Sequence, residues 1–259
     1  MKVTVDAGNS RIKARAWSGA VDAAGVPRPV GGLVTGGELP QILSAVDRWL
    51  RGLEEPFEAA LISVGPSAAR AELERLLRER AARLVQRPDP GLEVRCSVPE
   101  RVGVDRLWAA RGAVARAGRS AVVLDAGTAL TVDAVVCDGE GGDAFLGGAI
   151  APGPELGARA LATWAARLPL VQPRPGVAAL GRDTEEAILA GVGIGFRGSA
   201  AVLARAVAEE AGLLDAPLFL TGGARGFLAG SGDFHGPVEE CEDLVHLGLL
   251  DRAFGPPTP

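Results

Sequence analysis

Two near-copies of one phrase constrain this chain more than any other feature. Residues 3–13 read VTVDAGNSRIK and residues 122–131 read VVLDAGTALT. In each, an apolar run of strand character stops at an aspartate, and a glycine two positions on permits a tight reversal into the next run. Asp6 and Asp125 lie 119 positions apart (125 − 6). A chain that twice builds strand, acidic turn and strand, and each time continues into mixed helix and strand, is an α/β protein of two similar halves and not a solenoid. The spacing predicts halves at residues 1–118 and 119–259.

Periodicity fills in each half. The first reads as strands at 2–7 and 10–17, a Gly- and Pro-punctuated loop at 21–32, and a helix at 40–53 with Ile42, Val46, Trp49 and Leu50 on one face. A short strand at 57–64 follows. An amphipathic helix at 67–84 places Leu73, Leu76 and Leu77 together, and a strand at 92–96 and a helix at 103–117 complete the half. The second half reads as strands at 120–126, 130–137 and 144–150, a helix at 154–167 and a loop at 168–182. After these come a long helix at 183–212 entered through Asp183 or Thr184, a strand at 218–221, a helix opened by Gly222, Gly223 and Ala224, and a closing helix at 241–254.

Composition removes several classes of function. The net charge is −5 with no basic block, so the chain lacks the electrostatic footprint of a nucleic-acid binder. No uninterrupted apolar run approaches the roughly 18 residues of a membrane span, and the chain runs directly into its first strand. Three scattered cysteines, Cys96, Cys137 and Cys241, fit reduced thiols, so a cytoplasmic protein without membrane contact is expected. His235 and His246 lack metal-ligand spacing. Asn9 is the only asparagine, and Lys13 is the only lysine besides Lys2. Both rare residues sit in the first acidic turn.

The chemistry of such a turn is specific. An aspartate at the carboxyl end of a strand can hold a cation or its water shell, while turn amides and the short side chains of Asn9, Ser10 and Thr128 can hold phosphate oxygens. Two such turns, one per half, suit a triphosphate clamped from both sides of a cleft. The stretch LFLTGGARGFL at 218–228 adds strand, Gly-Gly and helix, a place where a ligand can approach backbone closely. A further acid, Asp105, stands beside Arg106 behind Gly103. The carboxylate can take a proton from a hydroxyl, and the guanidinium can bind a carboxylate with its planar fork.

This organisation resembles the superfamily of sugar and acetate kinases, actin and chaperone ATPases, which implies two ribonuclease-H-like halves with a ligand cleft between them. Six segments in order carry a narrower resemblance: DAGNSRIK at 6–13, GVDR at 103–106, DAGTALTVD at 125–133, GGAIAPG at 147–153, LGRDTEEAI at 180–188 and TGG at 221–223. Together they are similar to the type III pantothenate kinases over nearly the whole chain. The resemblance implies ATP-dependent phosphorylation of pantothenate, the first step of coenzyme A biosynthesis. It implies that Asp6, Ala7, Gly8, Asn9, Ser10, Arg11, Ile12 and Lys13 form the first phosphate loop, with Asp6 near the magnesium of Mg-ATP. It implies further ATP contacts at Thr128, Gly222 and Gly223, and Asp105 as general base. Gly103, Val104, Asp105 and Arg106 would line the pantothenate site, and Asp125 would ligate potassium or ammonium. Thr184 would reach pantothenate from the other subunit of a homodimer. Three positions depart from the family pattern: Cys96 and Val98 stand where a Tyr and an Asn are usual, and Ser10 replaces a Thr. The departures leave two other readings open, a non-catalytic regulatory or binding protein on the same fold and a kinase for another small hydroxylated acid or sugar.

Overall fold

The structure is a computed structural model. It describes residues 1–8, 11–22, 25, 27–53, 56–64, 67–85, 88–138, 142–229, 234 and 236–254. Strands are β1 (Lys2–Ala7), β2 (Ile12–Trp17), β3 (Gly31–Thr35), β4 (Glu58–Ser63), β5 (Arg83–Val85), β6 (Glu93–Val94), β7 (Ala121–Ala126), β8 (Ala129–Val136), β9 (Ala144–Pro152), β10 (Leu218–Thr221) and β11 (Val238–Glu240). Helices are α1 (Leu39–Arg51), α2 (Ser67–Arg80), α3 (Val104–Ala117), α4 (Pro154–Trp164), α5 (Thr184–Glu210) and α6 (Leu244–Phe254), with one-turn 3₁₀ segments at Pro99–Arg101 and Arg225–Leu228.

The duplication in the sequence is a duplication in topology. One sheet has the order β3-β2-β1-β4-β5, and the other has β11-β10-β7-β8-β9-β6. In the first, β1 pairs antiparallel with β2 and parallel with β4. In the second, β7 pairs antiparallel with β8 and parallel with β10. The β1 of one sheet and the β7 of the other are thus central strands of the same kind, each with a meander on one side and crossover strands on the other. Central strands with helices to pack against are largely apolar: Val3, Val5 and Ala7 are buried in β1, and Val122, Val123, Leu124 and Ala126 in β7.

The chain divides into two compact units. One contains Met1–Glu93, Ser97–Arg116 and Asp243–Pro259, and the other contains Val94–Cys96 and Ala117–Glu242. The first unit is held by a core of Val3, Val5, Ile12, Val46, Leu50, Leu73 and Leu77, and by a second cluster of Ala60, Ile62, Trp108, Leu249 and Ala253. The second is held by Val122, Leu124, Leu130, Phe196, Ala200, Ala204 and Leu218.

Four details differ from the sequence expectations. Residues 241–254 were expected in the second half, but α6 packs on β1 in the first unit. The reason lies in two glycines. An added Cβ at Gly112 of α3 would run into the Leu244 carbonyl, and one at Gly248 of α6 into the Trp108 carbonyl, so the two helices approach at backbone contact. The helix expected from Gly222 to Ala229 is a single 3₁₀ turn, too short to present a helix dipole. Three strands escape the sequence reading: β3, β5 and β11. β3 begins inside the expected loop, and β5 forms where a continuous helix at 67–84 was expected, because α2 stops at Arg80. Finally, α5 is by length and mean hydropathy long enough to cross a membrane. It lays Phe196, Ala200, Ala204 and Ala208 into the core of the second unit, which accounts for its apolar character.

Candidate active site

The first acidic turn closes as its glycine suggested. The Gly8 N–H donates to the Arg11 carbonyl at 3.0 Å, joining β1 to β2. Asp6, half-buried, stands directly across from the half-buried Lys13, and Ala7 across from Ile12. Opposite charges at paired positions favour this register. Ala7 and Ile12 are buried in the core, and the Ala7 carbonyl accepts from the Val64 N–H at 3.0 Å, so this pair anchors the base of the turn. Arg11 is exposed. Asn9 and Ser10 lie outside the described residues.

The GVDR segment forms the first turn of α3, as expected. Asp105 Oδ1 accepts from the Arg106 N–H at 2.9 Å, and the Gly103 carbonyl accepts from Arg106 and Leu107 at 3.1 and 3.3 Å. An added Cβ on Gly103 would lie 2.6 Å from Asp105 Oδ1, so the glycine leaves the carboxylate room. Val104 and Trp108 pack in one cluster with Ile62 of β4, and Ile62 is the register partner of Asp6 on β1. The start of α3 is thus tied to β4, the strand that pairs in parallel with β1, although the two are far apart in sequence.

Two residues before Asp6 on β1, Thr4 belongs to a polar chain that no motif announces. Trp17 Nε1 donates to Thr4 Oγ1 at 2.9 Å, and Thr4 Oγ1 is 2.9 Å from His246 Nδ1. Thr4 and His246 are buried, and among the described residues His246 Nε2 has no hydrogen-bond partner. Burial, then the charges of Arg15 and Lys13, hold the His246 imidazole well below its ordinary pKa, so it is neutral. Arg15 in turn donates through Nε to Asp243 Oδ1 at 2.7 Å, just ahead of α6.

In the second unit the acidic turn is braced from two directions. Gly127 N–H donates to the Ala129 carbonyl at 3.1 Å. The GGAIAPG stretch forms the end of β9, where the Gly153 N–H donates to the Thr128 carbonyl at 3.1 Å. From the other side, Thr221 of β10 pairs in register with Asp125. Gly222 has φ +94°, an added Cβ there would run into the Ala126 backbone and Asp125 Oδ1, and the Ala224 N–H donates to the Ala126 carbonyl at 2.7 Å. Only glycine fits this conformation and this space. Asp125 and Gly222 are thus brought into contact, while Thr128 and Gly223 are exposed.

Thr184 is exposed at the first position of α5. Asp183 is the cap: its side chain accepts from the Glu186 N–H at 2.8 Å, and Glu186 reaches back to the Arg182 N–H at 2.8 Å.

The donors suit the expected cations. Among the described residues there is no group of three or more His, Cys, Asp or Glu that could cage a metal. One carboxylate beside turn amides, as at Asp6, matches magnesium that arrives with phosphate oxygens and keeps its waters. Asp125, with backbone packed closely round it, offers a comparable oxygen donor to a monovalent ion.

Comparison with known proteins agrees with this geometry. A model of the type III pantothenate kinase family matches residues 2–206. A type III pantothenate kinase of Thermus thermophilus is 39% identical over 212 residues, covering 78% of each chain. One from Halorhodospira halophila is 42% identical over 152 residues, or 57% of each. Among solved structures, a conserved Baf-family protein of Campylobacter jejuni aligns with TM-score 0.54 and 20% identity over 95% of this chain and 94% of its own. A 2-dehydro-3-deoxygalactonokinase-type protein of Sinorhizobium meliloti aligns with TM-score 0.51 and 14% identity, over 100% and 98%. The two structures establish the kinase-like α/β fold of two mixed sheets flanked by helices. With the acidic turns, the GVDR helix start and the glycine strap in place, the match over residues 2–206 shows that this chain belongs to the type III pantothenate kinase family.

Proposed function

We propose that the chain transfers the γ-phosphoryl group of ATP to the primary hydroxyl of pantothenate, opening coenzyme A synthesis. Beyond family membership, the observation that supports the residue-level reading is that Val104 and Trp108 of α3 share a buried cluster with Ile62, the register partner of Asp6. Asp105 is the general base: its carboxylate takes the hydroxyl proton as the oxygen attacks phosphorus. Arg106 binds the pantothenate carboxylate, with Gly103 and Val104 shaping the pocket wall. The residue 6–13 turn holds phosphate oxygens through its amides, and Asp6 holds the magnesium carried in by the nucleotide. That ion neutralises phosphate charge, and little covalent help is required in phosphoryl transfer. Thr128, Gly222 and Gly223 are the second unit's nucleotide contacts, and Asp125 holds potassium or ammonium.

Thr184 completes the pantothenate site of a partner subunit in a homodimer. Its exposure, together with exposed Leu161, Trp164, Leu180 and Val202 on and around α4 and α5, supports that assignment. The protein works in the cytoplasm on two soluble substrates, without membrane or nucleic-acid contact. The test is a coupled ADP-release assay with and without potassium. Pantothenate-dependent turnover is expected, and Asp105→Asn should lower kcat by about 10²–10⁴-fold, the usual worth of a positioned base. Intact turnover in that variant, or no pantothenate-dependent turnover in the parent protein, refutes the assignment.

A further inference from the structure

Arg225 follows the Thr221-Gly222-Gly223-Ala224 stretch and opens the 3₁₀ turn. Its side chain doubles back, and Nη1 donates to the Gly222 carbonyl at 2.6 Å. The rest of the guanidinium faces Glu240 at 3.7 Å and Glu242 at 3.6 Å. Those two glutamates are 68% and 51% exposed, against 25% for the arginine, so the pairs are loose and solvent-screened. The short bond to the carbonyl is the firm contact.

That bond has a consequence through peptide geometry. The Gly222 carbonyl and the Gly223 N–H belong to one planar trans peptide and point in opposite directions. Fixing the carbonyl on Arg225 therefore fixes the direction of the Gly223 N–H. Rotation of this peptide is otherwise easy, because a glycine lies on each side of it. The inner side of Gly222 is closed by Asp125 and Ala126, and among the described residues the Arg225 guanidinium is the group that bonds this carbonyl. Gly223 is exposed, and no hydrogen bond is made by its N–H among the described residues.

We propose that Arg225 is a positioning residue: it does not touch the nucleotide, and it orients the Gly223 N–H as a preset donor to a nucleotide oxygen. The inference rests on the nucleotide reading of the Gly-Gly strap above.

Three variants test it: Arg225→Met, Arg225→Lys and Glu240→Gln/Glu242→Gln. Calorimetry would measure the affinity for ADP and for a non-hydrolysable ATP analogue, alongside steady-state kinetics. Arg225→Met should weaken both nucleotides alike, by roughly tenfold, the scale of one charge-assisted hydrogen bond. KM for ATP should rise with that loss, while kcat and KM for pantothenate stay within about twofold, since binding lost equally from ground and transition states leaves kcat alone. Arg225→Lys should recover part of the affinity, because an ammonium can still reach the carbonyl. The double glutamate variant should change affinity by less than about threefold, as expected of exposed pairs. Without any ligand, amide exchange in residues 222–224 should quicken in Arg225→Met.

Unchanged nucleotide affinity in Arg225→Met overturns the proposal. So does a loss confined to the ATP analogue, which would mean direct contact with the terminal phosphate, and so does a loss of kcat in place of affinity. Should the parent protein bind nucleotide yet leave pantothenate untouched, the substrate reading fails while the role of Arg225 is still decided by affinity and exchange. A parent protein that binds no nucleotide sinks both.

Discussion

Replacing His246 by asparagine should change how stability responds to acid. The imidazole is buried in α6, hydrogen-bonded at Nδ1 to Thr4, and among the described residues nothing pairs with Nε2. A second proton would place a cation with an unanswered N–H in the core, near Arg15 and Lys13. In the unfolded chain the same ring titrates near pH 6.5. On acidification the unfolded state thus gains a proton that the native state refuses. Stability therefore rises with pH through this window, and is lost as pH falls through about 6.5. Between about pH 7.5 and about pH 5.5 the unfolded ring goes from roughly one-tenth to nine-tenths protonated, a tenfold change in its binding polynomial worth about 1.4 kcal/mol.

Asparagine cannot titrate, so its variant lacks this contribution. Other groups cancel in the difference. Asp47, for instance, is held below the usual carboxylate range by hydrogen bonds from Arg80 and Arg51 and matters only in stronger acid, identically in both proteins. The assay is urea unfolding of parent and variant across that pH range. The variant starts less stable, and the gap should close by about 1.4 kcal/mol on acidification. Parallel curves would show that the imidazole titrates natively as it does when unfolded, and the account of a neutral buried ring would be wrong.

Two more substitutions separate packing from chemistry. Asp243→Ala leaves Arg15, whose side chain is only 10% exposed, without its carboxylate, and should cost about 2–4 kcal/mol in urea unfolding; a cost under about 0.5 kcal/mol would mean the pair is no more than a surface bridge. Gly103→Ala should barely change stability, because the atom its Cβ meets is the movable Oδ1 of Asp105, yet that push on the carboxylate should cut kcat roughly 10- to 100-fold; an unaffected kcat would remove Asp105 from the proton transfer.

The architecture was legible because its signal is local and repeated. The two central strands, the turn after each and the helix at the GVDR segment are each set by contiguous residues, and the duplicated phrase announced the duplicated strand order. What escaped depends on partners distant in sequence. β3 reads as a loop because Gly31 and Gly32 have little strand propensity, and it forms as the partner of β2. β5 is three residues long and is defined by pairing with β4. The place of α6 depends on Gly112 and Gly248, 136 positions apart (248 − 112), and two glycines carry no sign of being one contact. The site divides in the same way. Asp6, Asp105 and Asp125 stand beside their own turns and could be named from spacing. Thr4, His246 and Trp17 look like separate core residues until the fold joins them, and Arg225 looks like a surface charge until its contact with Gly222 is seen.

The two groups explain how the fold can keep half-buried acids in fixed places. Asp105 and Asp125 each face a missing side chain: the Cβ position of Gly103 lies 2.6 Å from one carboxylate, and that of Gly127 lies 3.2 Å from the other. Space of this kind frees a carboxylate to meet a ligand, but also lets it wander. The restraint comes from behind. Trp108 and Val104 lock α3 to β4 beneath Asp105, and the Ala224 to Ala126 bond with the Arg225 clasp locks the strap against Asp125. Within each unit, room at the carboxylate and a rigid layer behind it are what the proposed phosphoryl transfer requires, since positioning supplies most of that catalysis. The same division explains why substitutions in the back layer should show in stability or nucleotide affinity, and why those at the glycines in front should show in turnover.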